Sequence, residues 1–277
     1  MIPFDFEYYK PDNIKEAINI FKYLNYNNKE PIYYSGGTEI ITSSTRGFIK
    51  PKSIIDIKGI LECNELGIKN DDIVIGSCIT LATIENTHFF QLLSNKAKGI
   101  SDLTTRNKIT VGGNICGNIK YKEAILPFLI SDTYLTIASE RGLKKVDLNS
   151  NFSNKLNLNQ GEFIVNFILN KNYANLRSTY TRETKFAKID YPLVSTAALS
   201  LNDKIRVAFS GICDFPFRSK QVEDKLNDSG VSKIERINNA ISAIPYKIIN
   251  DVQGSSEYRR FVLKNNLIDI LNNLGVE

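Results

Sequence analysis

Two pairs of adjacent glycines, each directly after a short strand-like run, constrain the fold of this chain more than any other feature. The first pair lies in YYSGGTEII at residues 33–41, and the second lies in TVGGNICGN at residues 110–118. Glycine adopts positive φ at little cost, and two in succession let neighbouring backbone N–H groups point into one concavity that suits an anionic oxygen. Neither turn matches a dinucleotide-binding or phosphate-loop pattern. The pairs therefore predict either two ordinary tight turns or a two-part diphosphate site.

Helical and strand-like segments alternate along the chain up to about residue 172. Residues 53–57 and 72–79 are typical of buried strands, and residues 81–99 are predicted to form one helix. Three strand-like runs follow, with a predicted hairpin turn at residues 201–204, and three amphipathic helices close the chain. This order predicts an α+β or mixed α/β domain up to about residue 172, followed by a separate small α+β unit.

Composition and charge exclude several classes of protein. The 277 residues are 42% apolar and 23% charged, as in soluble globular proteins. The apolar runs are only of strand length and the N-terminus lacks a basic leader, so we expect a cytoplasmic protein without a membrane partner. The formal charge of +5 is dispersed, with KYK at residues 120–122 as the nearest approach to a basic run. We therefore expect no nucleic-acid partner.

Cysteine and histidine usage argues against a metal site within the chain. Four scattered cysteines (Cys63, Cys78, Cys116 and Cys213) show no CxxC spacing, which is unlike a zinc site or an iron–sulfur cluster held by this chain alone. A single histidine, His88, excludes a histidine-rich metal site. No side chain stands out as a general base, so we expect a cofactor to supply the chemistry.

The segment RNKITVGGN at residues 106–114 resembles the R-N-x-x-T-x-G-G-N signature of the FAD-binding (medium) subunits of molybdenum hydroxylases. This group includes the xanthine dehydrogenases and the aerobic carbon monoxide dehydrogenases. The first glycine turn resembles the family's first flavin loop, A-G-G-T-D followed by aliphatic residues. Three further segments resemble family segments in the same order along the chain: residues 6–21, 74–85 and 181–198.

The resemblance implies a specific α+β architecture. Residues 1–172 would form a two-subdomain FAD-binding domain of the PCMH type, with FAD extended between the subdomains. Residues 173–277 would form a small C-terminal domain of the carbon monoxide dehydrogenase flavoprotein type, with a three-stranded antiparallel sheet and helices.

The resemblance also implies a set of cofactor-binding residues. The backbone of the two glycine turns would hold the diphosphate, and Thr110 would add its hydroxyl. Glu123 stands where the family often has an aspartate facing the adenosine half, and Arg182 or Lys185 would be the basic residue before the second domain. The complete predicted set is Tyr34, Ser35, Gly36, Gly37, Thr38, Glu39, Ile40, Thr110, Val111, Gly112, Gly113, Asn114, Glu123, Arg182 and Lys185.

Structural roles are the alternatives for several of these residues. Glu123 could serve only as a favourable charge at a helix N-terminus, and Arg182 and Lys185 could be solvated charges at strand ends. Tyr34 and Ile40 could belong to the core.

The function implied by the resemblance is electron transfer within a complex. A molybdopterin subunit oxidises the substrate, an iron–sulfur subunit passes single electrons on, and FAD delivers them to NAD or another acceptor. The lack of clustered cysteines here fits clusters on a partner chain. Two alternatives stay open: a self-contained flavin oxidoreductase of the same fold, and a non-catalytic bridging subunit that has lost FAD.

Overall fold

A small parallel sheet begins the chain in this computed structural model, which describes residues 2–186 and 189–275. Its strand order is β1-β3-β2, and the strands are β1 (Glu7–Tyr9), β2 (Pro31–Tyr34) and β3 (Ser53–Asp56). Helix α1 (Ile14–Tyr26) buries Ala17, Ile18 and Leu24, and the side chain of Asn13 caps its first turn. Helix α2 (Thr38–Thr45) follows β2 directly after the first glycine pair.

A five-stranded antiparallel sheet forms the second layer, in the order β4-β5-β8-β6-β7. Its strands are β4 (Leu66–Lys69), β5 (Asp72–Gly76), β6 (Tyr134–Ser139), β7 (Gly142–Asp147) and β8 (Phe163–Asn170). The intervening short helices are α3 (Leu81–Glu85), α4 (Gln91–Gly99), α5 (Leu103–Arg106), α6 (Val111–Cys116), α7 (Leu126–Leu129) and α8 (Leu148–Asn151). Phe128 of α7 stacks on Phe167 of β8 with ring centroids 4.7 Å apart, so the helices and this sheet share one core.

The third sheet is antiparallel and is followed by three helices. Its order is β12-β11-β10-β9, with β9 (Ser178–Thr184), β10 (Pro192–Leu201), β11 (Lys204–Ser210) and β12 (Phe217–Arg218). The helices are α9 (Lys220–Leu226), α10 (Lys233–Ser242) and α11 (Ser256–Asn273). The predicted hairpin turn joins β10 to β11, with Asn202 and Asp203 both at positive φ as a two-residue type I′ turn requires.

The predicted α+β class is confirmed, with one addition and one correction. The third sheet carries the three predicted strands and the two-residue strand β12 beside them. The single helix predicted over residues 81–99 is wrong, because it is split into α3 and α4. The side chains of Asn86 and Thr87 bond back to the carbonyls of Ala82 and Ile84 and so end α3.

The sheets are joined through a shared interior. Ala197 and Leu199 of β10 and Ala208 of β11 pack into the core of the five-stranded sheet. A 3-10 helix, Lys171–Asn175, carries the chain from β8 to β9, and the domain boundary near residue 172 stays a prediction. Among the described residues, no helix combines the length and the apolar character needed to span a membrane.

Candidate functional site

The two glycine turns lie against each other. A Cβ atom on Gly36 would collide with the carbonyl oxygen of Lys108 and would lie 3.2 Å from the backbone nitrogen of Thr110. Farther along, the carboxylate of Glu39 accepts the N–H of Asn118 at 2.7 Å. The first turn therefore touches the second both where the second begins and where it ends. The fold brings together the two features that sequence separates by more than 70 residues.

The first turn leaves a row of backbone amides open. Gly37 is the N-cap of α2 with φ at 71°, and it has no side chain that could cap the helix. The first N–H of this region to bond within the helix is that of Ile41, which donates to Gly37 O at 2.8 Å. Among the described residues, the N–H groups of residues 36–40 have no acceptor. Open amides at a helix N-terminus favour an anion, because their dipoles point toward it.

The second turn has the same composition, but its amides are already bonded. Val111 N–H donates to Ile79 O and Gly112 N–H to Ser77 O, both at 2.9 Å. The hydroxyl of Thr110 caps α6 by accepting from Gly113 at 3.1 Å, and Thr110 O accepts from Asn114. The structure thus differs from the expectation that both turns offer free amides.

Close packing explains why the second turn needs a glycine at residue 112. A Cβ atom there would lie 2.7 Å from the Cβ of Ser77 and 2.8 Å from its carbonyl oxygen. Such distances are far shorter than ordinary carbon contacts. Gly112 therefore allows α6 to lie against the end of β5, whereas Gly36 allows the two turns to touch.

A charged network around Lys58, which was not predicted from the sequence, lies against the first turn. The ammonium of Lys58 donates to Ser35 O at 3.0 Å and to Asp56 Oδ2 at 2.7 Å, and lies 4.4 Å from the ring centroid of Tyr34. Tyr8 donates to the same carboxylate at 2.6 Å, and this hydrogen bond raises the pKa of Tyr8 to about 12. Sequence does not reveal the role of Lys58, since its contacts with Ser35 and Tyr34 join residues that are distant along the chain.

Glu123 and Arg182 meet, but they bind each other. Glu123 is 4% exposed and accepts from Arg182 Nε at 3.1 Å and from Ser195 Oγ at 2.6 Å. The fully buried ammonium of Lys96 lies 3.7 Å away, and burial lowers the pKa of Lys96 to about 8. This buried network ties α4 and the segment after α6 to strands β9 and β10. In this conformation Glu123 faces the third sheet.

Three other predicted residues have internal or distant contacts. Asn114 is buried, and its side-chain oxygen accepts Ala124 N–H at 3.2 Å. Ile40 is half-buried in the first turn of α2. Lys185 donates to the carbonyl of Val252, away from both glycine turns.

Lys122 is a second residue that the sequence analysis noted only as part of a basic run. It directly precedes Glu123 and is 5% exposed. Across the described part of the chain, its ammonium makes neither a hydrogen bond nor an ion pair. Its environment is therefore unlike that of Lys58 or Lys96.

Comparisons with known proteins identify relatives along nearly the whole chain. A family profile described as the FAD binding domain in molybdopterin dehydrogenase matches residues 4–170. The glyceraldehyde dehydrogenase medium chain of Sulfolobus acidocaldarius is 26% identical over 282 residues, covering 95% of this chain and 96% of that one. The xanthine dehydrogenase FAD-binding subunit of Escherichia coli O157:H7 is 24% identical over 270 residues, covering 92% and 89%.

A solved structure extends the likeness to the fold of the C-terminal part. It is the carbon monoxide dehydrogenase from Hydrogenophaga pseudoflava that lacks the Mo-pyranopterin moiety of the molybdenum cofactor. One of its chains matches with a TM-score of 0.88 at 21% identity, and 99% of each chain is covered. The resemblance inferred from the glycine motifs is confirmed.

Proposed function

This chain belongs to the family of FAD-binding domains in molybdopterin dehydrogenases, and we propose that it is the electron-exit subunit of a multi-subunit complex. Its cofactor is FAD, and it is an oxidoreductase subunit of the molybdenum hydroxylase type. The proposed partners are an iron–sulfur subunit that supplies electrons and a molybdopterin subunit that oxidises the substrate. NAD or another acceptor would take the electrons, in the cytoplasm.

The open amides of residues 36–40 are the observation that carries the proposal. FAD has a diphosphate with two negative charges, and a helix N-terminus without a capping side chain suits such a group. Gly36 and Gly37 have no Cβ atoms, so the phosphates can approach the main chain closely. The residues present therefore fit the cofactor.

Each part of the predicted site receives a distinct role in this proposal. The backbone of residues 35–40 would bind the diphosphate, with Tyr34 beneath it. Residues 110–114 would shape the second side of the site while their own amides hold α6 in place. Glu123 and Arg182 would act by positioning, since their ion pair joins residues 1–172, the proposed FAD-binding domain, to residues 173–277, the proposed C-terminal domain. Among the described residues, Lys185 contacts Val252 and Phe186, neither of which belongs to the glycine turns.

The chemistry would come from the cofactor rather than from side chains. Bound FAD interconverts one-electron and two-electron transfer, which the amino-acid side chains here cannot do. The chain itself would bind the dinucleotide, orient it and fix the charges around it. No nucleophile or general base is required for this work.

Purification of the tagged chain tests the proposal and separates it from the two alternatives. We expect a yellow protein whose extracted flavin is FAD, and co-purification of chains that carry molybdenum and iron. A yellow protein that never captures such chains and oxidises a substrate alone would support the self-contained oxidoreductase. A colourless protein that FAD titration cannot restore would support the bridging subunit and contradict the proposal.

A further inference from the structure

Lys122 is mostly buried, and none of the described residues bonds its ammonium. Only 5% of the residue is exposed. The part of the chain that the structure describes offers its ammonium no hydrogen bond and no ion pair. Removing an ammonium from water without a compensating partner is costly, and proteins normally pair such a group with an anion. The ammonium itself is not sealed from solvent, so an anion from outside the chain can reach it and replace water as its partner.

The position of Lys122 places it beside both glycine turns. It follows the second turn, only four residues after Asn118, whose N–H is bound by Glu39 of α2. The carboxylate of Glu39 attracts its charge, and Lys155 repels it. Glu39 belongs to the first turn of α2, where the open amides lie. Lys122 and these amides thus border the same region.

The neighbouring acidic groups do not neutralise this ammonium. Glu39 lies outside ion-pair distance of Lys122, and one of its carboxylate oxygens accepts the N–H of Asn118. Glu123, the next residue along, is turned to Arg182, Lys96 and Ser195. Burial outweighs these attractions and lowers the pKa of Lys122.

Two other lysines near the turns, Lys120 and Lys58, have bonded partners, unlike Lys122. Lys120 is half-exposed and pairs with Asp214 at 2.8 Å. Lys58 is bonded to Asp56 and to Ser35 O. Of these three lysines, only Lys122 has no bonded acceptor among the described residues.

We propose that Lys122 is a cofactor-binding residue whose ammonium pairs with the diphosphate of FAD. This inference rests on the proposed function and deepens it. The backbone amides would orient the diphosphate, and Lys122 would supply the full positive charge that the amides lack. A charge-assisted bond of this kind is about twice as strong as a neutral one. The pairing would also give a bonded partner to an ammonium that has none among the described residues.

Flavin titration of the full-length, flavin-free chain tests this inference. The variants are Lys122→Met, Lys122→Arg and, as the matched control, Lys120→Met, which removes the same charge two residues away. The probes are FAD, ADP and riboflavin, the last of which lacks phosphate. We expect Lys122→Met to raise the Kd for FAD and ADP by about 10- to 100-fold, the usual effect of losing a charge-assisted bond. Riboflavin binding should not change, Lys120→Met should match the wild type, and Lys122→Arg should recover most of the loss.

Two further readouts separate binding from a structural role. Because Lys122 has no bonded partner among the described residues, Lys122→Met should unfold at the same temperature as the wild type or higher when FAD is absent. Only protonated Lys122 can pair with phosphate, so wild-type affinity should fall as pH rises through its lowered pKa. The affinity of Lys122→Met should lack that fall.

The outcomes distinguish this inference from the function on which it rests. A wild-type chain that binds neither FAD nor ADP would overturn both. A wild-type chain that binds FAD, with Lys122→Met binding equally well, would overturn the role of Lys122 alone. An equal loss of affinity for riboflavin would also overturn it, because the defect would then not concern phosphate.

Discussion

The two glycine turns share a sequence pattern but differ in what their amides do. In the first turn the N–H groups of residues 36–40 have no acceptor among the described residues, whereas in the second Val111, Gly112, Gly113 and Asn114 all donate within the chain. The difference starts at the residue before each helix. Thr110 caps α6 with its hydroxyl, and Gly37 has nothing with which to cap α2.

This difference teaches that a glycine pair does not by itself show whether the amides of a turn are open. The N-cap residue of the following helix decides it. A capping hydroxyl satisfies one of the orphan amides of a helix, and a glycine cap leaves it for a ligand. In the second turn, the bonded amides and the absence of a Cβ atom at Gly112 let α6 lie against the end of β5. The first turn is the open one, and the second turn and Lys58 fix its position.

The largest expected loss of stability and of FAD comes from a substitution that pushes the two turns apart. Gly36→Ala places a methyl group against the carbonyl of Lys108, which is backbone and cannot rotate away. We expect the free energy of unfolding to fall by about 3 kcal/mol, the upper range for overpacking, and FAD to be lost. Urea unfolding and flavin absorbance measure the two effects.

A second glycine serves as the control for this substitution. A Cβ atom on Gly230 would meet only the flexible carboxylate of Asp228, at 3.2 Å. Gly230→Ala should therefore leave stability and FAD content near wild type. If Gly36→Ala behaved like Gly230→Ala, the contact between the turns would not matter.

A smaller effect is expected from substitution within the second turn. Gly112→Ala pushes against Ser77 and should cost about 2 kcal/mol, in the usual range for an added methyl group in a packed site. The Kd for FAD, measured on the folded protein, should change far less than the stability does. A loss of affinity with unchanged stability would mean that Gly112 faces the cofactor after all.

The smallest effect should follow removal of the cap on α6. Thr110→Ala frees the amide of Gly113 and should lower the free energy of unfolding by about 1 kcal/mol, as for other N-caps. Thr110→Ser keeps the hydroxyl and should restore stability. We expect neither variant to weaken FAD binding more than about threefold, a change of less than one neutral hydrogen bond. A tenfold loss of FAD affinity in Thr110→Ala but not in Thr110→Ser would indicate that Thr110 binds FAD directly.

Much of the fold could be predicted from sequence because its signals are local. Apolar runs mark the strands, and the residues of the 202–203 turn favour positive φ. The break between α3 and α4 was missed, because the helical pattern of residues 81–99 continues across it. Side-chain bonds of Asn86 and Thr87 decide that break, and periodicity does not reveal them.

The two glycine turns were predictable from sequence, but their contacts were not. The glycine motifs located both turns, since such backbone geometry needs particular residues at particular places. The partners of Glu123 lie 27, 59 and 72 residues away in Lys96, Arg182 and Ser195, so its direction depends on the complete fold. The lack of a bonded acceptor for Lys122 cannot be predicted from sequence either, because it depends on which groups the complete fold places around the ammonium.

Backbone hydrogen exchange in the two turns, with and without FAD, tests the contrast between them most directly. Bonded amides exchange slowly and open ones exchange fast. In the free chain, residues 111–114 should already be protected while residues 36–40 exchange rapidly, and FAD should slow exchange mainly in the first turn. Fast exchange at residues 111–114 that FAD then suppresses, with no change at residues 36–40, would contradict the assignment of the open amides to the cofactor.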